Sequence, residues 1–227
     1  MTMARRTFLL GAPLALAACA GTRLTETEAY FEHPVGTRLF GVDPDLVAYY
    51  GPLDDERFPV PALDLHKIDP QWLRQEVAFS GPYQPGTVVV DPGARHLYHV
   101  NEGGRAIRYG VGVGREGFGW NGQATIKRKS VWPTWTPPAE MVQRDPLAKP
   151  YANGMPGGPQ NPLGARALYL YQGDHDTLYR LHGTYEPESI GTAVSSGCIR
   201  LFNHDIIDLY NRTPTGTRVV VLPTLTS

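Results

Sequence analysis

His182 and Cys198 stand sixteen residues apart, and together they carry the means for covalent chemistry. A thiol attacks well when a base takes its proton and when donors hold the charge that grows on the attacked carbonyl. An imidazole is the usual base. The residues around the pair suit that use. Gly183 and Thr184 follow the histidine, and Ser195-Ser196-Gly197 leads into the cysteine. Gly197, with no Cβ, lets a substrate carbonyl approach the backbone, and the amides of Gly197 and Cys198 can point at an oxyanion. Arg200 follows two residues on. It can lower the thiol's pKa, grip a substrate carboxylate through two nitrogens, or order the loop by a salt bridge. Cys198 could also be a buried cysteine acting as a small hydrophobe.

Short strands and turns must position these groups. Glycine (25) and proline (21) make up about a fifth of the 227 residues, which favours turns and strands over long helices. Thr87–Asp91, Arg95–Val100 and Ala106–Val113 are predicted strands around the turns at Asp91-Pro92-Gly93 and Asn101–Gly104, the second of them half-buried by its alternation. Gln123–Lys129, Ala167–Tyr171, Leu178–His182 and Thr217–Leu222 continue the β pattern. His182 ends its strand, and Cys198 precedes a helix predicted over Asn203–Arg212 with an Asn cap. Two helices are predicted earlier. Asp43–Gly51 and Asp69–Val77 each open on an Asp cap with Pro in the first turn. The Gly110–Gly119 run has no Lys-Ser/Thr pair after it, so it implies tight backbone packing and not a phosphate loop. The Pro- and Trp-rich insertion between Trp132 and Pro162 is either a lid or an aromatic mini-core.

The bulk numbers and the N-terminus bound the setting. A net charge of −1 offers no basic surface for nucleic acid. Arg5-Arg6 precedes an apolar run from Phe8 to Ala18, too short to span a bilayer and right for an export signal. Ala4–Leu9 resembles a twin-arginine signal. Leu16-Ala17-Ala18-Cys19 resembles a bacterial lipobox, in which Cys19 would carry lipid and anchor the chain to a membrane. An ordinary cleaved signal is the alternative. These readings predict a signal peptide over 1–18, a tether with short helices over 19–85, and a catalytic domain over 86–222, exported to the periplasm. If Cys19 is lipidated, Cys198 has no disulfide partner in an oxidising compartment.

The string His182-Gly183-Thr184 … Ser195-Ser196-Gly197-Cys198-Ile199-Arg200, followed by a helix, resembles the L,D-transpeptidase (YkuD-type) catalytic domain of bacterial cell-wall enzymes. Val88–Asp91, Leu97-Tyr98 and Val111–Arg115 resemble its opening strands, so the likeness runs from about Gly86 to Leu222. It implies a mainly β domain, sandwich- or barrel-like, with a helix after the nucleophile. It implies Cys198 as nucleophile, His182 as general base and then acid, and the Gly183 carbonyl as the group orienting His182. Ser196 stands where many members have histidine, and Gly119-Trp120-Asn121-Gly122 replaces the usual Thr-Pro-x-Gly. The implied substrate is a peptidoglycan stem peptide, held as a thioester after D-alanine leaves and passed to an amine of a second stem or of an outer-membrane protein. Arg200, Ser196 and Tyr169 are the candidate substrate contacts. Neither cofactor nor metal is implied. His96 and His99 face opposite sides of a strand, and His175, His182, Cys198 and His204 share no ligand spacing. The same site could instead act hydrolytically, as an L,D-carboxypeptidase or cross-link hydrolase. The domain could also be a wall-binding lipoprotein without catalysis.

Overall fold

The computed structural model describes residues 43–114, 120–195 and 197–224. The expectations for the signal, for Cys19, for Ser196 and for the later part of the glycine run therefore fall outside the described residues. Inside them the chain is mainly β. Its strands are β1 (Gln75–Ala78), β2 (Val88–Asp91), β3 (His96–Asn101), β4 (Arg105–Gly110), β5 (Val113–Gly114), β6 (Gly122–Val131), β7 (Arg166–Gln172), β8 (His175–His182), β9 (Ala193–Ser195), β10 (Ile199–Arg200) and β11 (Arg218–Val221). Three helices accompany them: α1 (Pro44–Tyr49), α2 (Ala139–Arg144) and α3 (Asn203–Arg212).

Nine strands form one sheet in the order β1-β4-β3-β2-β11-β6-β7-β8-β10, and β5 pairs with β9. Within the large sheet the pairs are antiparallel except β2 with β11 and β8 with β10. The far end of the sheet returns on itself: Gly112, just past β4, exchanges two backbone hydrogen bonds of 2.9 Å with Arg200 of β10. That bridge gives the sheet its barrel-like closure and sets β10 beside the start of the fold. Gly112 and Gly110 allow it by close packing, since a side chain at either would meet the backbone of Ser189 or Trp72.

The main core lies inside this curved sheet. Val88, Leu97, Tyr109, Ile126, Leu168, Leu181, Ile199 and Val219 meet Ile206 and Leu209 of α3 there. A second cluster covers the outer face of the first strands with Val77, Phe79, Val89, Tyr98 and Val220. This second layer corrects the half-buried reading of β3: five of its six residues are buried, because both faces are covered.

Two predicted helical features give way to tertiary contacts. Asp69 does cap a turn, but the turn is a short 3-10 helix over Pro70–Trp72, and the chain then becomes β1. β1 pairs antiparallel with β4, where an open sheet edge and the burial of Val77 outweigh helix propensity. On α3, Asn203 is not the cap. Its Oδ1 accepts the Ala165 N–H at 2.9 Å, and Phe202 occupies the cap position. The earlier helix forms as predicted, with Asp43 accepting from Asp45 N–H. It packs on α3: Tyr49 and Tyr50 both donate to Asp205, and Tyr50 joins Phe202, Leu73 and Ile190 in a third core. In the insertion, Trp132 is buried against Phe58, and the buried Asn161 amide donates to the carbonyls of Pro133, Met155 and Pro156.

Candidate active site

The register of β6, β7, β8 and β10 lays the site out as two rows on one face of the sheet. Ser130 pairs with Ala167, Ala167 with His182, and His182 with Arg200. Two residues away, Arg128 pairs with Tyr169 and Tyr169 with Arg180. Taking the β8–β10 register back by one residue from the Leu181–Ile199 pair puts Cys198 at the end of this second row, beside Arg180. The backbone N–H of Arg180 donates to the Cys198 sulfur, which is 3.9 Å from the Leu178 carbonyl. Cys198 and His182 thus stand on neighbouring strands, offset by two residues or about 7 Å along the strand direction. The opposite face of these strands carries Leu168, Leu181 and Ile199 into the core.

A distortion in β8 brings the backbone to the sulfur. Between the pairs Tyr169–Arg180 and Tyr171–Asp176 the ladder slips, with three residues of β8 facing one of β7. Such a bulge bends a strand and re-aims its side chains. Leu178 lies at its crest with φ 64° and 75% exposure. Side chains hold the crest: Asp176 accepts from Leu178 N–H at 2.9 Å, and Thr177 Oγ1 accepts from Tyr179 N–H while donating to the Leu170 carbonyl. Arg180 closes the bulge with two bonds to Asp176, of 2.7 and 2.9 Å.

His182 is buried, and its Nδ1 is 2.6 Å from the carbonyl of Gly183. A carbonyl only accepts, so Nδ1 carries the hydrogen and Nε2 keeps a lone pair for a proton. Burial pushes this imidazole down to about 4. The Gly183 carbonyl opposes that shift, and the charges of Arg200 and Arg180 reinforce it. Burial pushes the Cys198 thiol up, against the Arg180 N–H and the Arg180 and Arg200 charges that pull it down. Both groups are therefore neutral near pH 7. Of the uses the sequence left open to Arg200, lowering the thiol's pKa is present in direction, and desolvation outweighs it. The arrangement suits a thiol that loses its proton as it attacks, rather than a stored ion pair.

The other candidates take these places. Gly197 has φ 129°, a conformation open to glycine, directly before the cysteine. Arg200 makes the salt bridge that the sequence left as one of its options, 2.7 Å to Glu186. Tyr169 is buried, its ring against the guanidinium of Arg128 at 3.7 Å and of Arg180 at 4.6 Å, so its face meets arginine. Trp120 stacks on Tyr179, whose ring stands next to Gly197. Among the described residues, no three His, Cys, Asp or Glu side chains gather as a metal would need.

Sequence reasoning missed Arg180, Asp176 and Asn203. Arg180 was within reach, because it sits two residues before His182 in a predicted strand and so shares its face. The bulge and the Asn203 contact are long-range effects without a local signal.

Residues 85–221 match the L,D-transpeptidase catalytic domain family, YkuD. Probable L,D-transpeptidase YbiS of Escherichia coli K12 is 37% identical over 138 residues, covering 58% of this chain and 43% of its own length. Probable L,D-transpeptidase ErfK/SrfK of the same strain is 34% identical over 153 residues, covering 66% of this chain and 48% of its own. The chain thus spans less than half the length of these two relatives. A solved structure from Brucella melitensis, described as a probable carnitine operon oxidoreductase, is 50% identical and covers 70% of this chain and 99% of that one, with a TM-score of 0.48. That description concerns the Brucella protein, and a likeness at that score carries no weight for function. With its family match running from just before β2 to the end of β11, through His182 and Cys198, this chain belongs to the L,D-transpeptidase catalytic domain family.

Proposed function

We propose that this protein is a cysteine-dependent acyl transferase acting on peptidoglycan stem peptides. The observation that carries the reading is the joint placement, inside the family match, of a thiol that receives a backbone N–H and a histidine whose Nδ1 is tied to Gly183. Cys198 Sγ attacks the carbonyl of the third stem residue while His182 Nε2 takes the thiol proton. The amides of Gly197 and Cys198 hold the oxyanion, and Ser196 and Arg200 are the proposed contacts to the donor. The C–N bond to D-alanine then breaks, and His182 returns the proton to the leaving amine. An acceptor amine, on a second stem or an outer-membrane protein, attacks the thioester. Its proton passes to His182, and the thiol is restored with no cofactor. Export to the periplasm and lipid attachment at Cys19 belong to the same proposal.

Burial of His182 favours this order of events. An imidazole held neutral by desolvation has its Nε2 lone pair free at neutral pH, although burial also weakens it as a base, and the neutral thiol gives up its proton as it attacks. Incubation with purified muropeptides, with products weighed by mass spectrometry, tests the reading. The expected products are cross-linked dimers, with a thioester or carbapenem adduct at Cys198 that Cys198→Ala abolishes. Trimmed monomers alone would assign hydrolysis. A folded protein with no adduct would overturn the catalytic reading and leave wall binding.

A further inference from the structure

We infer that Arg128 is a specificity residue that binds a free carboxylate of the peptide donor. The inference rests on the proposed acyl transfer and names a feature of its substrate. Three guanidinium groups approach the site, and two are already paired. Arg180 is held by both oxygens of Asp176, and Arg200 by Glu186. Arg128 is exposed, and among the described residues no carboxylate lies within ion-pair distance of it. Asp176 feels its charge, but both oxygens of that carboxylate are taken by Arg180. Arg128 is nevertheless fixed in place, with its guanidinium 3.7 Å from the centre of the Tyr169 ring.

Its place relative to the thiol follows from the ladder. Arg128, Tyr169, Arg180 and Cys198 occupy consecutive strands in one row. Adjacent strands lie about 4.8 Å apart, so the Arg128 backbone is roughly 14 Å from that of Cys198. The guanidinium rests on the ring of Tyr169, which stands on the next strand of the row in the direction of Cys198. An extended peptide advances about 3.5 Å per residue. A carboxylate on the side chain of the acyl-donor residue, or on the residue before it, comes within reach of Arg128 when the donor carbonyl sits at Cys198. The stacked face leaves the edge N–H groups of the guanidinium for such a carboxylate, in the bidentate geometry arginine favours. Tyr169 acts in this scheme as the platform that holds the guanidinium, and not as a substrate contact.

The test compares wild type, Arg128→Gln and Arg128→Lys on four synthetic tetrapeptide stems ending in D-Ala. In these the third-residue side-chain carboxylate and the second-residue carboxylate are each free or amidated. Wild type is expected to lose about 10- to 100-fold in kcat/KM when one particular carboxylate is amidated. Arg128→Gln should lose the same factor on the free donor and nothing more on the amidated one, and Arg128→Lys should fall between. Which amidation matters identifies the carboxylate. Equal loss on free and amidated donors, or no loss at all, overturns the inference. If wild type turns over none of the four, with no thioester at Cys198, it is the acyl-transfer reading that fails.

Discussion

Asn203 Oδ1 is packed directly against Gly183, at the point where any side chain on that residue would project. The same oxygen accepts the Ala165 N–H at 2.9 Å, so it cannot swing away freely. Gly183 in turn offers the carbonyl that holds His182 Nδ1. The first residue of α3 thereby sets the height of the backbone that orients the imidazole. Glycine is required here by close approach and not by an unusual φ.

Gly183→Ala should therefore destabilise the fold by about 1–3 kcal/mol through overpacking, and slow acylation of Cys198 further by tilting the imidazole. Part of the stability loss should return in the Gly183→Ala, Asn203→Ala double variant. A cycle of four thermal melts reads this coupling. Strict additivity would count against the contact.

Gly197→Ala tests the other glycine. An L residue at φ 129° is strained by about 1–3 kcal/mol. The segment before Cys198 should shift to relieve that strain. The expected result is a carbapenem acylation rate reduced at least tenfold with a melting temperature within a few degrees of wild type. An unchanged rate would show that the backbone there does not hold the thiol.

The pH dependence of acylation reports His182. Its folded pKa is pushed down to about 4 by burial, so the neutral base is present at all higher pH values. The rate should stay level from about pH 6 to pH 8 and fall only as pH drops towards about 4. The sign for stability agrees. Between 6.5 and about 4 the unfolded chain binds a proton that the fold refuses, so this group's contribution is full above 6.5 and fades as pH falls. A rate limb centred at or above 6.5 would contradict the assignment.

Asp205 gives the opposite slope. It is fully buried, and its carboxyl is pushed up to about 8 by desolvation, against the donated hydrogen bonds of Tyr50 and Tyr49. The fold thus keeps a proton that the unfolded chain releases above 3.8. Its contribution is full below 3.8 and is lost as pH rises to about 8. Asp205→Asn cannot ionise, so its melting temperature relative to wild type should climb by several degrees between about pH 5 and pH 9. A constant difference would mean that Asp205 does not titrate in this range.

The local alphabet of this chain decided a good deal unaided. Alternating apolar runs between Gly and Pro turns marked most strands, Asp43-Pro44 marked α1, and the His-Gly and Gly-Cys-Ile-Arg strings pointed to the thiol and the imidazole that the fold sets on neighbouring strands. These are short-range signals, in which side-chain period and turn chemistry act within a few residues. Tertiary contact decided the rest. Whether Gln75–Ala78 became helix or strand depended on an open edge of β4, and whether Asn203 capped its helix depended on Ala165. The bulge that sends the Arg180 N–H to Cys198 exists because β7 and β8 pair out of step. The protonation states of His182 and Cys198 depended on how much water the folded sheet excludes, a quantity that no neighbouring residue in the sequence encodes.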